Sequence, residues 1–249
     1  MTIFDDLAAE QERLEKILTG LDEAQWGTAS AAEGWTVADV VLHLAQTEEA
    51  AAAAATRGTL SGGRGVLTWD AGGGTTDERA DYAVRMERAP AAEVFARWQR
   101  ARLASVAALR NADPDRPVPW VTGVLKPATL ATTRLAEHWA HGLDIAEPLG
   151  IDLPDTGRLR NIAWLAHRTL PYALSVAGEP VVAVRCELTA PDGDEVWRFG
   201  PEDAESAITG AAGEFCRVAA QRLDPARSRL VASGPGGAMA LRLVRTYAA

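Results

Sequence analysis

Three side chains have the types and the spacing of metal ligands. Glu137 and His141 lie four residues apart, and on an α-helix the side chains at i and i+4 share one face. A carboxylate and an imidazole placed in this way can chelate one divalent metal ion. His43 lies in a separate helical stretch and could complete the set from a facing helix. Three N/O ligands leave coordination positions free for water or substrate, which is typical of a catalytic metal.

Spacing alone leaves two questions open on the helix that carries Glu137. His138 and His141 lie three residues apart and form a competing chelate, and the sequence does not decide between Glu137 and His138. Arg134, Glu137, His141 and Asp144 share a polar stripe, and a polar stripe on a helix normally faces solvent. If the stripe faces inwards, Asp144 is placed to orient the His141 imidazole as a hydrogen-bond acceptor.

Other polar residues near these ligands are predicted to take part in the chemistry. Glu48 falls within the apolar arc of its helix, and a buried carboxylate needs a partner or a chemical purpose. We therefore predict Glu48, Asp144 and Arg134 as catalytic residues. His167, in a later helix beside Trp164, is predicted to be a structural histidine.

The composition excludes several classes of function. The chain has 249 residues and a net charge of −9, which disfavours nucleic acid and anionic membranes as partners. Cys186 and Cys216 are too few for a disulfide framework or a cysteine-based zinc site, and their apolar settings predict buried thiols. The chain shows neither a signal peptide nor an apolar run that could span a membrane. We expect a cytoplasmic protein that is a monomer or a homodimer and acts on a small molecule.

The first 152 residues are predicted to form a helical domain. Apolar residues recur at helical spacing in four stretches, which indicates a four-helix bundle: residues 3–20, 36–57, 90–111 and 127–147. Thr36 and Asp39 resemble a capping box at the start of the second stretch. Gly58 to Arg79, rich in glycine and threonine, is predicted to be a long functional loop.

Residues 153–249 are predicted to form a small second domain that mixes helices and strands. A helix is expected over 158–174, with Pro171 as a kink or an early end. Strands are expected at 181–188 and 195–199, joined by a turn at 191–194, with further short strands at 205–208 and 229–232. Helices are expected at 211–223 and at the C-terminus. The fold class of the whole chain is therefore α+β.

Two motifs resemble those of a known superfamily. Residues 34–44, GWTVADVVLHL, resemble the second-helix motif of the DinB-like metal-binding bundles. Residues 133–144, TRLAEHWAHGLD, are similar to the fourth-helix motif of the mycothiol-dependent maleylpyruvate isomerase branch. The resemblance implies a metal, usually zinc, held by His43, Glu137 and His141, and it favours Glu137 over His138. It also implies a sterol-carrier-like C-terminal domain, which residues from about 158 onward resemble.

The resemblance leads to three hypotheses about function. The first is an enzyme that uses a divalent metal and a low-molecular-weight thiol, such as mycothiol, for isomerisation or S-transfer on a specialised small substrate. Zinc suits the ligands best, and nickel, iron and manganese are compatible with them. In this hypothesis Arg217 and Arg222 bind an acidic part of the thiol or substrate. The second is a thiol-independent metal enzyme, and the third is a non-catalytic protein that binds a small ligand.

Overall fold

The computed structural model describes residues 2–57, 74–121 and 123–246. The chain divides into two compact units, Met1–Leu153 and Pro154–Ala248. The first unit is mainly helical and the second contains a mixed β-sheet, so the predicted α+β class is confirmed. Among the helices of these described residues, none combines the length and the apolar character that crossing a membrane requires.

The first unit is built on the four predicted helices, and two shorter helices and a hairpin accompany them. Helices α1, α3, α5 and α6 pack against one another as a bundle, and strands β1 and β2 form an antiparallel hairpin just before α6. The elements are α1 (Ile3–Thr19), α2 (Glu23–Trp26), α3 (Val37–Arg57), α4 (Thr76–Met86), α5 (Ala91–Asn111), β1 (Val118–Trp120), β2 (Gly123–Leu125) and α6 (Pro127–Ala146).

Helix α3 lies at the centre of the bundle because its apolar arc is wholly buried. Val37, Val40, Val41 and Leu44 have no exposed surface, as their spacing predicted. Glu48 continues the same arc and is also fully buried. Burial of an aliphatic side chain contributes about 1.5–3 kcal/mol, so this arc fixes which face of α3 points into the bundle.

The predicted start of α3 is confirmed at the level of individual hydrogen bonds. The Thr36 amide donates to Asp39 Oδ2 at 3.0 Å, and the Asp39 amide donates to Thr36 Oγ1 at 3.2 Å. Gly34, at a φ of +79°, adopts the left-handed conformation that favours glycine and turns the chain into this cap. The turn also sets Trp35 immediately before the helix.

The long loop predicted over Gly58 to Arg79 is wrong at its C-terminal end. Helix α4 already begins at Thr76, because Thr75 and Glu78 form a capping box. The Glu78 amide donates to Thr75 Oγ1, and Glu78 Oε2 accepts from the Thr75 amide. Residues 58–73 of the predicted loop lie outside the described residues.

The second unit is a four-stranded sheet with three helices. Its strand order is β4-β3-β5-β6, with β3 parallel to β5 and both outer pairs antiparallel. The predicted β3–β4 hairpin is confirmed, and Pro171 lies within a helix that continues past it. The elements are α7 (Leu159–Val176), β3 (Val184–Thr189), β4 (Val196–Phe199), β5 (Ser206–Ala211), α8 (Ala212–Ala219), β6 (Val231–Ser233) and α9 (Gly237–Leu243).

Candidate metal centre

Helices α3 and α6 bring the three predicted ligands together. His43 projects from α3, and Glu137 and His141 project from α6 one turn apart. One donor atom from each residue lies within 4.8 Å of the donors of the other two. In the part of the chain that the structure describes, this is the His/Cys/Asp/Glu group with the geometry of a metal site.

The two distances from Glu137 are close to those between ligands of one small cation. Glu137 Oε2 lies 3.6 Å from His43 Nε2 and 3.5 Å from His141 Nε2. Two ligands at the zinc–nitrogen distance of about 2.0–2.1 Å lie about 3.3 Å apart in a tetrahedron. The carboxylate oxygen is therefore nearly equidistant from two imidazole nitrogens, at separations that a shared ion would shorten only slightly.

Asp144 fixes the orientation of the His141 ring. Its Oδ2 lies 2.9 Å from His141 Nδ1, so an Nδ1–H group donates to the carboxylate and leaves Nε2 with a free lone pair. Nε2 is the nitrogen that faces Glu137. Metal-binding histidines in proteins are commonly held by a carboxylate in this way.

The three side chains differ in how burial and charge act on their pKa values. Burial lowers the pKa of His43, which keeps this imidazole neutral and able to donate a lone pair. Burial would also lower the pKa of His141, but the neighbouring carboxylates of Asp144 and Glu137 outweigh it and raise that pKa. Burial opposes ionisation of Glu137, yet the neighbouring His141 and His43 rings hold its pKa well below the usual range.

The cluster is partly exposed, mainly through Glu137. The Glu137 side chain is 28% exposed, compared with 10% for His43 and 11% for His141. The Trp35 ring borders the cluster, with its centroid 5.1 Å from that of His43 and 6.3 Å from that of His141. The Trp35 indole N–H donates to Asp81 Oδ1 at 3.0 Å, which holds the ring in place.

His138, the alternative ligand, forms hydrogen bonds inside the bundle instead. Its Nδ1 lies 2.9 Å from the Arg134 carbonyl, and its Nε2 accepts from the Trp98 indole N–H at 3.2 Å. Burial lowers the pKa of His138 to about 4, so the ring is neutral and has one donor and one acceptor. Both are engaged by these contacts, which leaves no lone pair for a metal.

Comparison with known proteins shows the family of this chain. The mycothiol maleylpyruvate isomerase N-terminal domain family matches residues 7–146, which contain all three clustered ligands. The chain belongs to this family. Two uncharacterized proteins of Mycobacterium tuberculosis, from strains CDC 1551 / Oshkosh and ATCC 25618 / H37Rv, are each 35% identical to it over 219 residues. The alignments cover 87% of this chain and 84% of each relative.

The fold of this family member resembles solved structures over nearly its whole length. Two crystal structures of mycothiol-dependent maleylpyruvate isomerase, one of them a histidine-to-alanine variant, each cover 94% of this chain and 95% of their own. The variant has a TM-score of 0.63 at 15% identity, and the other structure has a TM-score of 0.62 at 16% identity. Similarity at this level of identity shows the fold, and the predicted superfamily resemblance is confirmed.

The predicted catalytic residues Glu48 and Arg134 pair with each other in the interior of this mycothiol maleylpyruvate isomerase family domain. Arg134 Nε donates to Glu48 Oε1 at 2.7 Å, and Ser105 donates its hydroxyl to Glu48 Oε2. Arg134 and Asp144 are each 2% exposed, so of the two alternatives left open by the sequence, these members of the polar stripe face inwards. Arg134 points towards α3, where Glu48 and Thr47 accept its hydrogen bonds, and Asp144 is engaged by His141.

The two arginines predicted to bind a thiol or substrate have partners within the second unit. Arg217 forms an ion pair with Asp155 at 2.8 Å, and Arg222 donates to the Ala220 carbonyl. His167 Nε2 lies 2.9 Å from the Val184 carbonyl, consistent with a structural histidine. The thiol-binding role of Arg217 and Arg222 therefore stays a prediction.

Sequence reasoning missed three residues that contact either the cluster or the buried Glu48–Arg134 pair. Trp35 stands inside the 34–44 motif and could have been noticed through its position beside a glycine. Ser105 is a single small hydroxyl on an otherwise ordinary helix and gives no signal. Thr47 accepts a hydrogen bond from Arg134, and its spacing of four from His43 was the available clue.

Proposed function

We propose that this chain is a metal-dependent enzyme that uses a low-molecular-weight thiol for isomerisation or S-transfer on a small substrate. The observation that carries the proposal is the convergence of His43 Nε2, Glu137 Oε2 and His141 Nε2 at a partly exposed site. Three ligands on rigid helices leave positions on the ion for exogenous groups. Zinc suits two imidazoles and a carboxylate best.

Some residues of the site would bind the ion, and others orient the residues that bind it. His43, Glu137 and His141 would hold the ion, and Asp144, by accepting from Nδ1, directs His141 Nε2 at the shared point. A divalent ion bound there would supply Lewis-acid chemistry and would favour the thiolate form of a thiol that shares it. Trp35 supplies an apolar wall against which an organic group could pack.

Two observations support an external thiol. The fold resembles that of an enzyme described as mycothiol-dependent. The chain's own thiols are poor nucleophiles, because burial raises the pKa of Cys186 to about 12 and also raises that of Cys216. A thiolate that acts at this site would therefore come from a separate small molecule.

Metal retention and thiol dependence test the proposal in two steps. Elemental analysis should find about one divalent ion per chain in the wild type and none in His43→Ala, Glu137→Ala or His141→Ala. His167→Ala is the matched control, because it removes a histidine outside the cluster and should leave metal content unchanged. Loss of metal only in the control would refute the ligand assignment.

Activity measurements then separate the proposed enzyme from its rivals. Cis–trans isomerisation of electron-poor alkenes and S-transfer should be assayed with and without mycothiol, using the metal-loaded wild type. Turnover that requires mycothiol supports the proposal. Equal turnover without any thiol would favour thiol-independent metal chemistry, and a protein that neither retains nor is stabilised by metal would favour a non-catalytic ligand-binding role.

A further inference from the structure

We propose that Arg134, acting through Thr47 and Glu48, is a positioning residue that sets His43 against Glu137 and thereby determines metal affinity. The inference rests on the proposed metal site and assigns a purpose to its most deeply buried charges. Arg134 is 2% exposed and Glu48 is fully buried, so neither side chain meets solvent or a substrate.

Hydrogen bonds connect Arg134 to the backbone of a predicted ligand. Arg134 Nη2 donates to Thr47 Oγ1 at 2.5 Å. The Thr47 hydroxyl donates to the carbonyl of His43 at 3.0 Å and also lies 3.1 Å from the carbonyl of Leu44. A side chain of α6 is thus joined through one hydroxyl to the turn of α3 that carries His43.

The same arginine is held in place by helix α5. Ser105 donates to the Glu48 carboxylate, whose other oxygen accepts from Arg134 Nε. The Arg134 carbonyl lies 2.9 Å from His138 Nδ1, and the His138 ring accepts from Trp98. The network therefore ties α3, α5 and α6 together next to the cluster.

Proton transfer is a poor explanation for these buried charges. Both oxygens of Glu48 already accept hydrogen bonds, one from Ser105 and one from Arg134, and both charged side chains are buried away from any substrate. A buried ion pair is also weak evidence for net stability, because desolvation offsets its attraction, whereas such pairs can specify one register of packing. The metal site requires one fixed alignment of α3 and α6, since its ligands come from these two helices.

Thr47→Val is the sharpest test, because it deletes the hydroxyl link at nearly constant volume and keeps the Glu48–Arg134 pair. Zinc affinity, measured by competition with a chromophoric chelator, should fall about 10- to 100-fold, as is typical when groups behind metal ligands are removed. Thr47→Ser keeps the hydroxyl and should bind zinc as the wild type does. Equal affinity of Thr47→Val and wild type would overturn the proposal.

A control and a double variant separate positioning from stability. Arg102→Met removes the α5–α1 ion pair with Glu15, and it should lower thermal stability without changing zinc affinity. The Glu48→Met/Arg134→Met double variant removes both buried charges together, so that neither is left unpaired and folding is retained. Its zinc affinity should still fall about 10- to 100-fold.

The outcomes distinguish this inference from the proposed function. Wild-type zinc affinity in the double variant would show that the pair serves packing alone and would overturn the positioning role while leaving the metal site intact. Failure of the wild type to bind any divalent metal would overturn both proposals. Zinc binding by the wild type together with weakened binding in Thr47→Val and in the double variant would support both.

Discussion

Replacement of Asp144 by asparagine should weaken zinc binding without removing a ligand. Asp144 is 2% exposed, and its Oδ2 accepts from His141 Nδ1 at 2.9 Å. An asparagine amide oxygen can accept the same hydrogen bond, so the tautomer and orientation of His141 should persist. The negative charge behind the imidazole is lost, which makes Nε2 a weaker base and a weaker ligand.

The size of the expected loss in zinc affinity follows from the strength of the hydrogen bond between Asp144 and His141. A hydrogen bond to a charged group contributes about 1.5–3 kcal/mol, compared with about 0.5–1.5 kcal/mol for a neutral one. Replacement of metal-orienting partners typically reduces affinity about 10- to 100-fold, which corresponds to about 1.4–2.7 kcal/mol. We expect Asp144→Asn near the lower end of this range and Asp144→Ala, which loses orientation as well, near the upper end.

The substitution should also change how zinc affinity depends on pH, which gives a second test of the same reasoning. Asp144 helps to raise the pKa of His141, so in the wild type a proton competes with zinc for this imidazole at a higher pH than in Asp144→Asn. The difference in affinity between the two proteins should therefore shrink as the pH falls from 8 to 6.

Chelator competition at several pH values measures both effects. Asp39→Asn is the matched control, because Asp39 is a buried carboxylate on α3 whose side chain pairs with Arg88 and caps the helix. It should bind zinc as the wild type does. An affinity of Asp144→Asn equal to that of the wild type at pH 8, or a difference that widens as the pH falls, would refute the reasoning.

Three further predictions follow from the same structure. Glu137→Ala should lose its metal, whereas His138→Ala should retain it and lose about 1–3 kcal/mol of stability for each buried partner left unpaired; elemental analysis and urea unfolding measure this, and the reverse metal contents would contradict it. The pKa of His141 is raised in the folded protein. Protonation of His141 therefore stabilises the metal-free protein fully below the ordinary pKa of histidine, and this stabilisation is lost as the pH rises through the pKa of His141 in the folded state. The increase in Tm caused by zinc should therefore grow from pH 6 to pH 8, and a constant increase would count against a role for His141. Cys186 and Cys216 are buried and have raised pKa values, so a thiol reagent at pH 8 should label both only after unfolding, and rapid labelling of the native protein would contradict their placement.

Helical periodicity was sufficient to predict the bundle, because each long helix buries a continuous apolar arc. The spacing from Val37 to Leu44 predicts the apolar arc of α3, and Thr36 and Asp39 predict where the helix begins. The start of α4 carried the same kind of signal in Thr75 and Glu78. It was missed because glycine and threonine dominate the preceding segment and suggest an irregular loop.

Buried polar partners were harder to predict, because they depend on contacts between distant segments. Glu48 stood out in the sequence as a carboxylate in an apolar arc, but its partner Arg134 follows 86 residues later. Nothing local to Arg134 indicates that it turns inwards. The choice between Glu137 and His138 as the metal ligand likewise depends on Trp98, which lies on α5 and donates a hydrogen bond to His138 Nε2.

The two sets of contacts between α3 and α6 together specify one alignment of these helices. His43 faces Glu137, whereas Thr47 and Glu48, farther along α3, face Arg134, which comes earlier on α6. The partners therefore run in opposite directions, as they do in an antiparallel pair. A slide of one helix turn, about 5.4 Å, would separate His43 from Glu137 and leave Arg134 without its carboxylate. The cost of burying an unpaired charge thus opposes the displacement that would also take the predicted metal ligands apart.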